Sequence, residues 1–137
     1  MPNLTLRPVT AQDHAAWHAL WQAYLHFYET ELADAVSLST WQRLLDPSEP
    51  THSALAWVDG KAVGMVNFIY HRSNWSIENS CYLQDLLVVP TQRGTGVGRK
   101  LIEHLSLSIP YRLLDGEGTH KSFYGVGLAK AMAEASA

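Results

Sequence analysis

Cys81-Tyr82-Leu83-Gln84-Asp85-Leu86-Leu87-Val88-Val89-Pro90 runs straight into Thr91-Gln92-Arg93-Gly94-Thr95-Gly96-Val97-Gly98-Arg99. The first part is an apolar run of strand length ended by a proline, and its density predicts an interior strand covered on both faces. The residues from about Gly96 to Leu107 place Val97, Leu101, Ile102 and Leu105 on one side of a helix. Three alternating glycines lie between them, where the chain must turn sharply and can bring its backbone close to a ligand. Successive N–H groups at the start of a helix form a site for anionic oxygens, and Arg93 and Arg99 can add charge-assisted hydrogen bonds. The physical expectation is a pyrophosphate at the helix start. The Walker loop, Gly-x-x-x-x-Gly-Lys-Ser/Thr, is absent, and the dinucleotide fingerprint Gly-x-Gly-x-x-Gly is not matched by this Gly-x-Gly-x-Gly. The competing reading is that the glycines only shape a turn between strand and helix.

Upstream, Ser53 to Val58 and Lys61 to Tyr70 read as two strands joined by Asp59-Gly60, a pair that tolerates the positive φ angles of a tight hairpin. Polar residues from His71 to Asn79 predict a loop before the apolar strand. Leu4 to Val9 alternates and forms a short first strand. Thr10 with Asp13 approximates a reciprocal helix cap, and Trp17, Leu20, Trp21, Tyr24, Leu25 and Tyr28 recur at helical spacing behind it. A shorter helix is expected after Ser39, carrying Trp41, Leu44 and Leu45 and stopped at Asp46-Pro47, with an irregular Glu29 to Leu38 before it. Beyond Leu107, Ile109 to Leu114 reads as a strand, Asp115 to Gly118 as a turn and Leu128 to Ala135 as an alanine-rich helix. The whole is α/β in class, an α+β arrangement around one mixed sheet.

At 137 residues, 47% of them hydrophobic, the chain is expected to form a single domain over 1–137 with a real core. Ten basic residues against thirteen acidic give a formal charge of −3, which argues against a nucleic-acid partner. The one cysteine, Cys81, cannot form an internal disulfide or a cysteine-rich zinc site. No leader-like segment and no apolar run of spanning length stand in the sequence, so the expectation is a cytoplasmic protein with no membrane partner.

Tyr82 to Pro90 followed by Arg93-Gly94-Thr95-Gly96-Val97-Gly98 resembles the central motif of the GCN5-related N-acetyltransferases (GNAT), Arg/Gln-x-x-Gly-x-Gly/Ala after an apolar strand. The resemblance covers residues 1–107 and weakens over 108–137. It implies a sheet that opens into a V beside the central strand and holds acetyl-CoA as co-substrate, with no metal. It also implies that Leu86, Leu87 and Val88 lie along the pantetheine arm and that Arg93, Gly94, Thr95, Gly96, Val97, Gly98 and Arg99 hold the pyrophosphate. The acetyl group then passes directly to a bound amine of a small molecule or protein. A strand N–H polarises the thioester carbonyl, and a carboxylate or ordered water accepts the amine proton.

Asp85 is the candidate base, and a structural carboxylate is the alternative reading of it. Relatives such as diamine acetyltransferases have Glu-Asp where this chain has Gln84-Asp85. The family's last helix carries a tyrosine that protonates the departing thiolate. Ser122-Phe123-Tyr124 is similar to it and makes Tyr124 the candidate acid, although Gly125 and Gly127 are poor helix residues. If Leu114 is encoded by a codon ending in TG, reading from there one base later gives Trp-Met, a variable residue and Lys or Arg, closer to the family's fifth strand than Leu114-Asp115-Gly116-Glu117. A frameshifted tail and a catalytically impaired acyl-CoA binding module are therefore the alternative to an active enzyme. A third reading is an assembly protein that pairs through an open sheet edge, and homodimerisation is compatible with catalysis.

Other residues carry weaker signals. His14 and His18 are spaced for a shared metal but lack a third ligand, so ordinary helix-face histidines are expected. Cys81 is expected to be a buried strand residue and not a nucleophile. Tyr24 and Tyr28 can reach a substrate mouth, and Glu29, Glu31 and Asp34 form an acidic cluster that is either solvated or receives a cationic amine.

Overall fold

The computed structural model describes residues 3–75, 77, 79–108 and 123–124, with side chains placed for those up to 104. Strand β1 (Leu4–Pro8) is followed by a single 3-10 turn (Ala11–Asp13), α1 (His14–Phe27), α2 (Asp34–Leu45), β2 (Thr51–Val58), β3 (Lys61–His71) and β4 (Ser80–Val88). A 3-10 turn at Pro90–Gln92 then leads to α3 (Val97–Ser108), and a short β5 (Phe123–Tyr124) completes a sheet in the order β1-β2-β3-β4-β5. Neighbours are antiparallel except β4 and β5, which are parallel, so the mixed α/β sheet expected from the sequence is present.

The expected hairpin is built as predicted: Asp59 and Gly60 have φ of 50° and 81° at the reversal from β2 to β3. The entry to α1 is tied down by Asp13, whose carboxylate accepts from the Thr10 N–H at 2.8 Å, the Thr10 hydroxyl at 3.1 Å and Arg7 Nη1 at 2.9 Å. Burial alone would raise the Asp13 carboxyl, but these partners together hold it below the ordinary carboxylate range.

Two cores lie on opposite faces of the sheet. Under α1 and α2, Trp17, Leu20, Trp21, Leu25 and Trp41 pack on Leu55, Met65 and Leu87. Trp17 and Trp21 stack with ring centroids 5.3 Å apart. On the other face Val97, Leu101 and Ile102 of α3 pack on Ala54, Ala56, Val66, Phe68, Cys81 and Leu83. Each fully buried large side chain contributes about 1.5–3 kcal/mol. Close approach of α3 depends on Gly64 of β3, where a Cβ would stand 2.9 Å from Leu101 Cδ1 and 3.0 Å from Val97 Cγ1.

The second helix departs from the sequence expectation. It begins at Asp34 and not after Ser39, so only residues 29–33 of the segment predicted to be irregular are non-helical. Val36 and Leu38 face solvent while Ser37 is buried, because its Oγ accepts the Trp21 indole N–H at 2.9 Å. Strand β3 continues through His71, which shortens the expected loop by one residue.

Within β4 the pairing with β3 shifts: Asn67 opposes Asp85, whereas Phe68 opposes Leu83. Gln84 is thus the extra residue of a bulge, and a bulge reverses which face each later side chain takes. Cys81 and Leu83 point to the α3 core before it; Leu86 and Val88 do so after it, and Leu87 joins the α1 core. Asp85 falls on the α1 side as a result. The strand expected over Ile109–Leu114, the turn at Asp115–Gly118, the helix over Leu128–Ala135 and the reading-frame question at Leu114 lie outside the described residues.

Candidate active site

The segment after β4 leaves the sheet through the Pro90 turn and enters α3 through Gly94 and Gly96, both in the left-handed region at φ 81° and 90°. Among the described residues, a Cβ built on Gly96 would meet no atom within 4 Å. Glycine is needed there for conformation, and the space beside it is open. The amides of Val97 and Gly98 open α3 and have no preceding turn to bond, so they present donors and the positive end of the helix. Arg93 is held in place from two sides: its Nε donates to the Val88 carbonyl at 3.1 Å, and its guanidinium lies 5.5 Å from the centre of the Phe27 ring.

These groups border a cleft of about 240 Å³. Its walls are Leu86, Leu87 and Val88 of β4, Gln92, Arg93, Gly94, Gly96, Val97 and Gly98 of the loop and helix start, and Tyr24, Phe27 and Tyr28 at the end of α1. Strand β5 pairs only with Cys81 and Tyr82, so past that point the outer edge of β4 has no strand beside it among the described residues. Among the described residues the sheet is therefore open alongside Leu86 to Val88, where the cleft lies.

Most residues singled out for a cofactor converge here, with two exceptions. Thr95 and Arg99 do not line the cleft; the Thr95 hydroxyl donates inward to the Gln92 carbonyl and stabilises the loop. Asp85 is buried at 8% exposure just behind the wall. Its carboxylate accepts from Asn67 Nδ2 at 3.1 Å and from the Tyr24 hydroxyl. Asn67 in turn accepts from the Trp17 indole N–H at 3.4 Å. Burial pushes the Asp85 carboxyl above its ordinary range, an effect only partly offset by the Asn67 and Tyr24 hydrogen bonds. Tyr24 is pushed up as well, first by burial and then by the Asp85 charge, with Tyr28 and Tyr82 adding to it.

Tyr124 is in β5 beside Tyr82, in a strand and not in the helix its sequence context was compared with. Glu29, Glu31 and Asp34 are exposed and do not line the cleft. His14 packs against Trp41 with ring centroids 5.1 Å apart, and no three His, Cys, Asp or Glu side chains among the described residues are grouped to hold a metal ion. Cys81 is fully buried and its thiol is pushed up to about 12 by that burial, which removes it as a nucleophile. Among the described residues no helix is long and apolar enough to cross a membrane.

Sequence reasoning missed Phe27, Gln92 and Asn67. Asn67 had a visible signal, a lone amide within the apolar run Val63 to Tyr70. Phe27 and Gln92 had none, because only the turn of the chain brings them together.

Comparison with known proteins gives a consistent result. The D-amino-acid N-acetyltransferase HPA3 of Saccharomyces cerevisiae is 34% identical over 103 residues, which cover 74% of this chain and 64% of that protein. The chain thus spans just under two thirds of that relative's length. The aminoglycoside 6'-N-acetyltransferase AAC(6')-Ih of Acinetobacter baumannii superposes with a TM-score of 0.72 at 16% identity, covering 98% of this chain and 89% of its own. The aminoglycoside N-acetyltransferase AAC(6')-Iy, solved in complex with CoA, superposes with a TM-score of 0.70 at 15% identity, covering 97% and 85%. These two likenesses are of fold. The sequence profile of the acetyltransferase (GNAT) family matches residues 14–106, and with the relative at 34% identity it shows that the chain belongs to the GNAT family of acetyltransferases.

Proposed function

We propose that the protein transfers the acetyl group of acetyl-CoA to a primary amine of a small molecule or protein by direct attack on the thioester. The observation that carries this reading is the junction of β4 and α3. Two left-handed glycines, free space at Gly96 and the opening amides of α3 lie at one end of a cleft whose long wall is Leu86, Leu87 and Val88. That arrangement suits a pyrophosphate at the helix start and an extended thiol arm along the strand. Arg93, Gly94, Gly96, Val97 and Gly98 are the proposed phosphate-side residues; Thr95 supports the loop from outside the cleft, and Arg99 does not line it.

Asp85 is the proposed proton acceptor. A carboxylate whose proton affinity is raised by burial is a stronger base than one in water, and it sits one side chain from the cleft. Tyr24, Phe27 and Tyr28 form an aromatic wall on the acceptor side, which can receive a cationic amine on ring faces. The names of the relatives make amino acids and aminoglycosides the first acceptors to try. Tyr124 is retained as the proposed acid for the thiolate on its sequence context alone.

The same reading places a single domain in the cytoplasm, in keeping with one buried cysteine that forms no disulfide. A homodimer through an open sheet edge is proposed with it; light scattering tests that assignment. The functional test is calorimetric titration with acetyl-CoA followed by thiol release on a panel of D-amino acids, aminoglycosides and alkyl polyamines. Binding at micromolar concentrations with thiol release is expected. A folded protein that binds acetyl-CoA and releases no thiol with any amine is a binding module, and one that does not bind it refutes the proposal.

A further inference from the structure

The cleft contains no carboxylate and no imidazole among its described lining residues; its titratable side chains are Tyr24, Tyr28 and Arg93. A guanidinium has no acceptor to offer a proton. The buried carboxylate closest in structure, Asp85, lies behind the wall, and Tyr24 is the side chain that both lines the cleft and hydrogen-bonds it. Tyr24 is fixed in this position by its neighbours: it stacks on Trp21 at 5.8 Å and meets Tyr28 at 5.0 Å. Asp85 is fixed from the other side by Asn67, which the Trp17 indole orients.

We propose that Tyr24 is a catalytic residue of the acetyl transfer, taking the proton from the acceptor nitrogen as it passes its own phenolic proton to Asp85. This rests on the acetyltransferase reading above. As the nitrogen lone pair forms the C–N bond, the nitrogen becomes positively charged. Its N–H bond breaks and an O–H bond forms at the Tyr24 oxygen, while the original Tyr24 O–H breaks and its proton joins the Asp85 carboxylate. The net result is a neutral nitrogen and a neutral acid. The C–S bond then breaks with its electron pair on sulfur, and the proton on Asp85 returns along the same path to the thiolate or to water.

Two properties of the site suit this role. The phenol keeps its proton across the working pH range, because burial and the Asp85 charge raise its proton affinity, so it is always charged with a proton to hand on. Burial also raises the proton affinity of Asp85, which suits it to accept the phenolic proton. The groups that face Tyr24 are Asp85 and Tyr82 of β4 and Tyr28 just after α1, with Arg93 on the same cleft.

The test is Tyr24→Phe, which keeps the ring and removes the hydroxyl. For an alkylamine acceptor kcat is expected to fall about 100-fold, the range of general acid–base catalysis, with the Kd for acetyl-CoA within about twofold of the wild type. For a weakly basic arylamine, which loses its proton readily to water, the loss is expected to be under about tenfold. The alkylamine rate of the variant should rise steadily with pH, where the wild type reaches a plateau. An alkylamine rate and pH profile like those of the wild type overturn the relay, as does an equal loss on both amines. If Tyr24→Phe does not fold, 3,5-difluorotyrosine at position 24 keeps ring and hydroxyl while acidifying the phenol; the relay predicts that the wild-type plateau gives way to a fall on the alkaline side, and an unchanged plateau overturns it. No thiol release by the wild-type protein with either amine is a failure of the acetyltransferase reading itself, and is seen before any variant is made.

Discussion

Replacing Gly96 separates the conformational demand of the loop from its ligand demand. Gly96 has φ of 90°, and a Cβ there would touch no atom of the described residues within 4 Å. Gly96→Ala therefore creates no clash, and its cost is backbone strain of about 1–2 kcal/mol. For a domain of this size that lowers Tm by about 4–8 °C. Gly96→Asp carries the same strain and adds a negative charge in the space assigned to phosphate. One charge pair about 4 Å apart near a protein surface is worth about 4 kcal/mol of repulsion before salt screening. Affinity for acetyl-CoA should fall at least 100-fold, or about 2.7 kcal/mol. The assay is calorimetric titration of wild type and both variants, with thermal unfolding of each without ligand. The expected pattern is two similar melting temperatures with Gly96→Ala binding far more tightly than Gly96→Asp. Equal acetyl-CoA affinity in the two folded variants would refute the placement of phosphate beside Gly96.

Gly64→Val puts a branched side chain where a Cβ alone stands 2.9 Å from Leu101 Cδ1; displacement of α3 should cost about 1–3 kcal/mol in urea unfolding, and an unchanged midpoint removes the close-packing argument. Ser37→Ala leaves the buried Trp21 N–H without its acceptor and should cost about 1–3 kcal/mol by the same measurement. The Asp13 carboxyl is lower in the folded chain than its unfolded value of about 3.9, so its contribution is complete above that pH and is lost as pH falls through the folded value. Acid unfolding of Asp13→Asn should accordingly lack that part of the decline, which paired urea curves between about pH 5 and pH 2.5 would reveal. Asp85 has the opposite sign: its folded pKa is raised, the native state keeps a proton that the unfolded chain has released, and stability falls as pH rises from about 3.9 through the folded value. Asp85→Asn should be without that fall, and identical pH slopes for the two proteins would count against a carboxyl raised by burial.

Much of the fold could be read locally. Trp17, Leu20, Trp21 and Leu25 state the α1 face by their spacing, and Asp59-Gly60 states the hairpin by its φ preference. The start of α2 was not legible, because its residues invert the usual pattern: Val36 and Leu38 are exposed, while Ser37 is buried to receive an indole N–H sixteen positions away. The β4 bulge was equally hidden. In an apolar run such as Leu83 to Val89, alternation carries little information, so nothing in the residues reveals that Gln84 is unpaired and that the faces exchange after it.

The same distinction divides the two halves of the proposed active site. A pyrophosphate site can be made from consecutive residues, because what it needs is backbone: glycine torsions, unpaired amides and a helix start, all specified between Arg93 and Gly98. Proton transfer has no such local signature. The proposed base, Asp85, is held in a dry place by Asn67 and Tyr24, and these three residues come from three elements brought together by the sheet. The Gln84 bulge links the halves. With Gln84 paired in regular register instead of bulged, Asp85 would share a face with Cys81 and Leu83 under α3, away from Tyr24, and the proposed acceptor for the amine proton would be on the wrong side of the sheet.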